Sequence, residues 1–230
     1  WGKIYGTGKL DIIGVGGNGL DSNHGINIIS SNINTIRGDI NLDGSGAGSG
    51  SNNSGIYLSS LDVNSLANIS LTGMGGNGEG SYNAGIFLEN VDFYSILGDF
   101  YFEGIGGNGD SYNYGIFAVQ GVMSPGGLFV WDGAGNGSGG FNQGINAQGL
   151  MIQGSDITLN GTGSSVGAGN NVGINLSSAN IDSMEYLNIT GIGGGINDSA
   201  GNNYGLLISD STLRSEIMGI TLDGLSNGIG

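Results

Sequence analysis

The amino-acid sequence predicts an all-β chain wound as a right-handed parallel β-helix, a solenoid of seven full coils plus a partial one. Three observations lead there. One short marker recurs at near-constant spacing, three alternating apolar–polar runs lie between successive markers, and glycine supplies 52 of 230 residues while proline supplies one, Pro125. The pattern covers the whole chain, so residues 1–230 read as a single β-helix segment of a longer repeat array.

The marker is Asn-x-Gly-Ile. It begins at Asn23, Asn53, Asn83, Asn113, Asn142 and Asn171, and at Asn203 with Leu in the last place, at spacings of 30, 30, 30, 29, 29 and 32 residues. A fixed period of this length signals stacked supersecondary units. Each unit holds three strand-like runs: Ile56-Tyr57-Leu58, then Val63-Asn64-Ser65-Leu66, then Ile69-Ser70-Leu71 in one example. Alternation with period two is the signature of a half-buried strand, and no stretch has helical periodicity. One such coil cannot bury its apolar face alone, whereas stacked coils share a continuous core. A β-propeller would need four antiparallel strands in each blade of about 40–45 residues, which these units cannot supply.

Stacking converts repeat positions into columns. Two inward columns follow the marker: Ile26, Ile56, Ile86, Ile116, Ile145, Ile174 and Leu206, and Ile28, Leu58, Leu88, Ala118, Ala147, Leu176 and Ile208. Two more come from the third run: Leu10, Ile40, Ile69, Phe100, Phe129, Ile157, Leu187 and Ile220, beside Ile12, Leu42, Leu71, Phe102, Trp131, Leu159, Ile189 and Leu222. Phe100 over Phe129 and Phe102 over Trp131 should stack inside. The marker asparagines, Asn23, Asn53, Asn83, Asn113, Asn142, Asn171 and Asn203, form an unbroken column. Asn tolerates left-handed turn geometry, and stacked amides can donate to one another's carbonyls as in cross-β ladders, so a structural ladder is expected. Thr35, Ser65, Ser95, Ser183 and Ser215 form a hydroxyl column suited to a corner, interrupted at Gly154.

Composition excludes several functions. Lys3, Lys9, Arg37 and Arg214 stand against 19 acidic residues, for a net charge of −15. Phosphate neutralisation needs clustered Lys and Arg, so a nucleic-acid partner is not expected, nor is an anionic membrane surface. There is no cysteine, and no run approaches the roughly 20 apolar residues of a membrane span. An acidic, cysteine-free chain suits an exported bacterial surface protein, so an extracellular or cell-surface location is expected. Lys3-Ile4-Tyr5 reads as a middle strand and residues 224–230 as a connecting loop, so the chain should continue into flanking repeats or meet adjacent copies of itself.

Three features invite a chemical reading. The Gly-rich loops, such as Gly106-Gly107-Asn108-Gly109, resemble phosphate cradles but precede no helix. Their acidic residues Asp21, Glu79, Asp110 and Asp198 are scattered rather than spaced for calcium, so turn geometry is the better account; no cofactor is expected, with calcium in these loops as the alternative. The outward column Asp43, Thr72, Glu103, Asp132, Asn160, Thr190 and Asp223 makes Glu103 and Asp132 acidic neighbours, the one candidate for the carboxylate pair of a glycoside hydrolase. No Lys or Arg accompanies them, so no catalytic residue is assigned. A second outward column is Asn27, Tyr57, Phe87, Phe117, Asn146, Asn175 and Leu207; its aromatics Tyr57, Phe87 and Phe117 form a candidate contact strip, with Tyr82, Tyr112 and Phe141 as a loop column beside it. Such strips bind sugar rings or pack on another chain.

The recurring unit is Gly-Ile-x-Leu, a Ser- or Thr-bearing strand, Gly-Asp-Ile-x-Leu, then Gly-x-Gly-Gly-Asn-Gly, clearest in Gly38-Asp39-Ile40-Asn41-Leu42 and in residues 104–109. In this the chain resembles bacterial giant surface exoproteins of the filamentous haemagglutinin-like, β-strand-repeat type. The resemblance implies a parallel β-helix, secretion across the outer membrane, and a part in adhesion or a surface filament. The leading expectation is therefore a structural or adhesive shaft. The alternative is a carbohydrate-binding or carbohydrate-active β-helix, a lyase or hydrolase. That class usually builds a cleft from long loops, and here repeat length varies by three residues. Ice or mineral binding would need a flat Thr-x-Thr array, which the sequence lacks.

Overall fold

The computed structural model describes residues 2–195 and 201–227. These residues form strands and turns with no helix, wound as a parallel β-solenoid of about seven turns with about 30 residues in each. All strand pairings are parallel and gather into two sheets, one of 11 strands and one of eight. The register follows the repeat. Ile26 lies beside Ile56, then Ile86, Ile116, Ile145, Ile174 and Leu206. The eight-stranded sheet runs in the same way from Leu10 and Ile40 to Leu187 and Ile220. A parallel pair needs a long crossover, and here one full turn of the coil supplies it.

The three runs of each unit lie where the sequence puts them, but in four coils the first two are one strand: Ile56–Ser65, Ile86–Ser95, Ile116–Ser124 and Ile145–Gly154. Elsewhere they stay separate, as in Ile26–Ile29 and Ser31–Thr35. The bend between them is made by a left-handed residue in every coil: Ser30, Ser60, Asn90, Gln120, Gly149, Ser178 and Asp210. That column has no uniform residue type, so sequence inspection could not single it out. Lys3–Tyr5 falls in the strand Gly2–Gly6, paired with Ser31–Thr35 as expected. The reading of residues 224–230 as a loop needs correcting. The strand Gly219–Ser226 carries the pattern on through Ser226, in register with Tyr186–Gly193; residues 228–230 lie outside the described residues.

The core is a stack of layers. All four inward columns are buried in the middle coils, and a fifth joins them from the second run: Ile33, Val63, Phe93, Met123, Ile152 and Ile181, each at 0% exposure. Phe102 stacks on Trp131 with ring centres 6.0 Å apart, and Phe100 lies 6.2 Å from Phe129. Phe93 completes the cluster, 4.9 Å from Phe102. Bulk in one column is offset by its loss in another. Trp131 takes the place of Phe102 in the coil where Ala118 takes the place of Leu88, as filling a fixed cross-section requires.

One edge of the solenoid is built backbone against backbone. After each third run a glycine meets the marker glycine one level on: Gly44 against Gly55, Gly73 against Gly85, Gly104 against Gly115. A methyl group on Gly104 would sit inside the Gly115 carbonyl, and one on Gly115 would meet the Ala134 amide. The marker therefore needs glycine for close approach rather than for conformational freedom. At the hydroxyl corner, Ser183 Oγ donates to the carbonyls of Ser155 and Tyr186, both at 2.7 Å, and Thr35 Oγ1 to Gly38 at 2.6 Å. By register Pro125 as well as Gly154 interrupts this column.

Gly104→Ala should destabilise the fold by about 1–3 kcal/mol, the usual cost of forcing atoms into a packed site. Gly8→Ala, where a new methyl meets nothing within 4 Å, should change stability by no more than about 0.5 kcal/mol. Chemical denaturation of the two variants beside the parent chain checks the pair; equal losses would contradict the close-approach reading.

Candidate functional site: the asparagine ladder and the aromatic face

The marker asparagines stack in one column, but their chief bond is not the one expected. In all six steps the backbone N–H of one Asn donates to the side-chain Oδ1 of the next: Asn23 to Asn53 at 2.8 Å, Asn53 to Asn83 at 2.9 Å, Asn83 to Asn113 at 2.9 Å. The series runs on from Asn113 to Asn142 at 2.8 Å, Asn142 to Asn171 at 2.9 Å and Asn171 to Asn203 at 2.9 Å. Amide-to-amide donation accompanies this in two steps, Asn23 to Asn53 at 3.1 Å and Asn113 to Asn142 at 3.2 Å. In three others the Nδ2 groups turn to loop carbonyls, while the buried Nδ2 of Asn171 has no partner among the described residues. Asn53 donates to Leu20 and Gly50, Asn83 to Gly50 and Gly80, and Asn142 to Asp110 and Gly139. The reason is geometric. At the marker Asn the backbone N–H meets no backbone carbonyl of the next coil, unlike those of Ser22 and Gly25 on either side of Asn23, and a buried orphan donor is costly. The side-chain oxygen one level on satisfies it.

The Gly-rich loops house this ladder. Gly76, Gly107 and Gly194 donate their N–H groups to the carbonyls of Asn53, Asn83 and Asn171. Side chains there would strike the asparagines: a methyl on Gly16 or Gly46 would overlap the carbonyl of Asn23 or Asn53. Among the described residues no three His, Asp or Glu side chains group as metal ligands. Asp21 Oδ1 accepts the Ser51 N–H at 2.6 Å, and Asp198 lies outside the described residues.

A second Asx column escaped the sequence reading. Asp39, Asn68, Asp99 and Asp156 precede the third run. Each accepts, through Oδ1, the N–H of the residue one level on: Asn68 at 3.1 Å, Asp99 at 2.9 Å, Leu128 at 2.8 Å and Tyr186 at 3.2 Å. Here the acceptor lies one coil earlier than the donor; in the marker ladder it lies one coil later. An Asp or Asn just ahead of the third run was the available signal, obscured by Leu128 and Tyr186.

Left-handed geometry belongs to the residue before six of the seven ladder asparagines: Ser22, Asn52, Tyr82, Tyr112, Phe141 and Asn170, with φ between 55° and 62°. The ladder asparagines themselves do not adopt it. Bulky residues occupy this region at a cost, and in three coils the position is aromatic. Those rings stack nearly parallel. Tyr82 and Tyr112 are 4.8 Å apart at 3°, and Tyr112 and Phe141 are 5.1 Å apart at 5°. The separation is close to the rise between coils, so each ring covers its neighbour's face.

The expected strip Tyr57, Phe87 and Phe117 is also a column of touching rings. His24 stacks on Tyr57 at 5.0 Å, Tyr57 lies 5.1 Å from Phe87, and Phe87 lies 4.8 Å from Phe117. Tyr114, which the sequence reading left out, joins the two columns. It is buried, stacks on Phe117 at 4.8 Å and reaches Tyr112 at 6.4 Å. Burial pushes its phenol pKa well up. The Tyr57 phenol is raised too, by burial and then by Glu89, whose Oε2 accepts from Tyr57 at 3.3 Å and from Ser59 at 3.1 Å. Tyr57, Phe87 and Phe117 are half-buried and tilted on one another by 32° and 59°, so they make no flat aromatic platform for a sugar ring.

Glu103 and Asp132 are neighbours in the eight-stranded sheet as expected, between Thr72 and Asn160. Asn160 Nδ2 donates to Asp132 Oδ1 at 2.7 Å. They border a shallow depression of about 220 Å³ with Gly104, Ile105, Gly133 and Ala134. No described ion pair involves either carboxylate. Compared with known proteins, the chain matches no protein-family model, no curated protein and no solved structure.

Asn113→Ala should cost about 1–3 kcal/mol, because it strands the buried Asn83 N–H and a cavity remains; Asn23→Ala, at the more exposed end of the ladder, should cost less. Equal melting midpoints for the two would count against the ladder's role. A pH effect follows from His24. Its Nδ1 accepts the Ser54 N–H at 3.2 Å, and burial holds its pKa below the ordinary 6.5. The folded chain therefore favours neutral imidazole, while the unfolded chain takes up a proton first as the pH falls. This contribution is complete above pH 6.5 and is lost as the pH drops from there toward the folded pKa. His24→Gln should thus show a smaller loss of stability than the parent between about pH 7 and about pH 5.

Proposed function

We infer that the chain is a structural or adhesive shaft of an extracellular or cell-surface protein, and not an enzyme. The observation that carries this reading is uniformity. Every coil keeps the same register in both sheets, and marker spacing stays between 29 and 32 residues. A solenoid of this kind spends its sequence on stacking: inward apolar columns, two Asx columns that satisfy turn amides, and glycines where backbones touch. Stability in such an array comes from nearest-neighbour coils, which suits a load-bearing rod. Glu103 and Asp132 belong to a solvated acidic sheet face in this reading. They lack the grouped base, nucleophile and cation that a catalytic site needs.

The test is made on cells that produce the protein. Protease shaving and immunogold labelling of intact cells should detect this segment at the surface, and the purified segment should compete with those cells for attachment. Labelling only after lysis would overturn the reading. So would turnover of pectin, alginate or another polysaccharide that is abolished by Glu103→Gln or Asp132→Asn; neither substitution is expected to change any activity measured.

A further inference from the structure

We propose that two copies of this solenoid pair side by side through the aromatic face. The first argument is charge. The face comprises the outward residues of the first run, flanked by the two left-handed columns that begin at Ser22 and Ser30. Among the described carboxylates only Glu89 and Asp210 lie on it, and none of the four basic residues does. Other described surfaces carry acidic groups in register, such as Asp62 beside Asp92 and Glu103 beside Asp132. For a molecule of net charge −15, this face can meet a second copy with few carboxylates brought together.

Size and chemistry agree. Seven levels at about 4.8 Å, and about six residues across at about 3.3 Å, give a flat area on the order of 700 Å². A standard stable interface covers about 800 Å² on each partner. The surface is aromatic, amide and hydroxyl in composition, with Tyr82 and Phe141 at 45% and 40% exposure. Tyr82, Tyr112 and Phe141 cover one another's faces and are poorly placed to stack on sugars, but their edges suit edge-to-face contact with rings or amides of another chain.

The pairing orientation follows from the two charges. An antiparallel arrangement, with the two-fold axis at Phe117, places coils symmetrically about that level. Phe117 then meets Phe117, Glu89 lies opposite Gln148, and Asp210 lies opposite Ser30. Neither carboxylate meets another, and the Gln148 amide can donate to Glu89. Such an isologous contact closes at two copies.

The inference rests on the shaft reading only for its purpose, and fails separately from it, since surface exposure on cells does not depend on pairing. The test uses the absence of native cysteine. F117C should form a disulfide-linked dimer under mild oxidation, while T72C, on the acidic sheet, should stay monomeric. In sedimentation velocity the parent chain should dimerise. Its dissociation constant should fall at least about tenfold from about 0.01 M to about 0.1 M salt, as repulsion between the remaining acidic surfaces is screened. Phe117→Glu and Phe87→Glu should each abolish the dimer while leaving the strand signal in circular dichroism unchanged. A monomer at millimolar concentration in salt, or equal cross-linking of F117C and T72C, would overturn the proposal. So would end-to-end association, seen as lengthening at constant cross-section in small-angle scattering. Binding of a neutral oligosaccharide such as cellohexaose by a monomer, lost in Phe117→Glu, would assign the face to glycan instead.

Discussion

The structure depends on finding a partner for backbone amides that point along the solenoid axis at each turn. Strands satisfy their own N–H groups through the neighbouring coil, and so do turn residues beside the marker, as Ser22 does with Ser51 and Gly25 with Ser54, but the marker Asn N–H meets no backbone carbonyl. In this chain an asparagine oxygen one level on accepts that N–H in six successive steps. Five of the seven asparagines are fully buried, so the penalty for leaving such a donor unpaired would apply in full. The spacing of the marker is therefore a bonding requirement. An extra residue in a coil must be placed outside the ladder and the strands, as at the corner where four residues separate Ser95 from Phe100 but three separate Ser65 from Ile69.

Glycine has its place within this constraint. Close approach of the two sheets at one edge brings the Gly44 and Gly55 backbones together, and the same contact recurs at each level. The loop glycines then wrap the asparagine amides and leave no room for side chains. Both sets serve packing, and loop glycines such as Gly48, Gly137 and Gly195 also adopt positive φ, which together account for a glycine content far above the ordinary share of about 7% in a chain with a continuous apolar core. The aromatic face is a consequence of the same repetition. Residues forced into left-handed geometry by the turn stand one above another, and rings at the coil spacing cover each other at 4.8 and 5.1 Å.

Much of this was legible from residue types and spacing. The inward columns of isoleucine and leucine announced the layers, and their register was found as read from Ile26 through Leu206. The Glu103–Asp132 adjacency and the Phe102–Trp131 stack were likewise visible, because a fixed period places equivalent positions next to each other. Less legible were features with no constant residue. The bend at Ser30, Ser60, Asn90 and Gln120 is a backbone conformation shared by unlike side chains. The Asx column at Asp39, Asn68 and Asp99 was hidden by its interruptions. Tyr114 occupies a position that is His, Ser, Ala, Gln, Val or, at Tyr204, again Tyr in other coils, so no constant residue type marked it as the bridge between two aromatic columns.

The sequence by itself determined the fold class, the period and the identity of the inward columns, because stacking translates a linear repeat directly into vertical neighbours. It also determined that asparagine would be stacked on asparagine. Only the tertiary structure decided how those asparagines bond, since donor and acceptor depend on which way a turn amide points and not on residue type. The same holds for the aromatic strip. Its members were named from the sequence, but whether their rings present faces or edges is set by side-chain rotation at the coil spacing. That rotation left Tyr57, Phe87 and Phe117 tilted on one another by 32° and 59°.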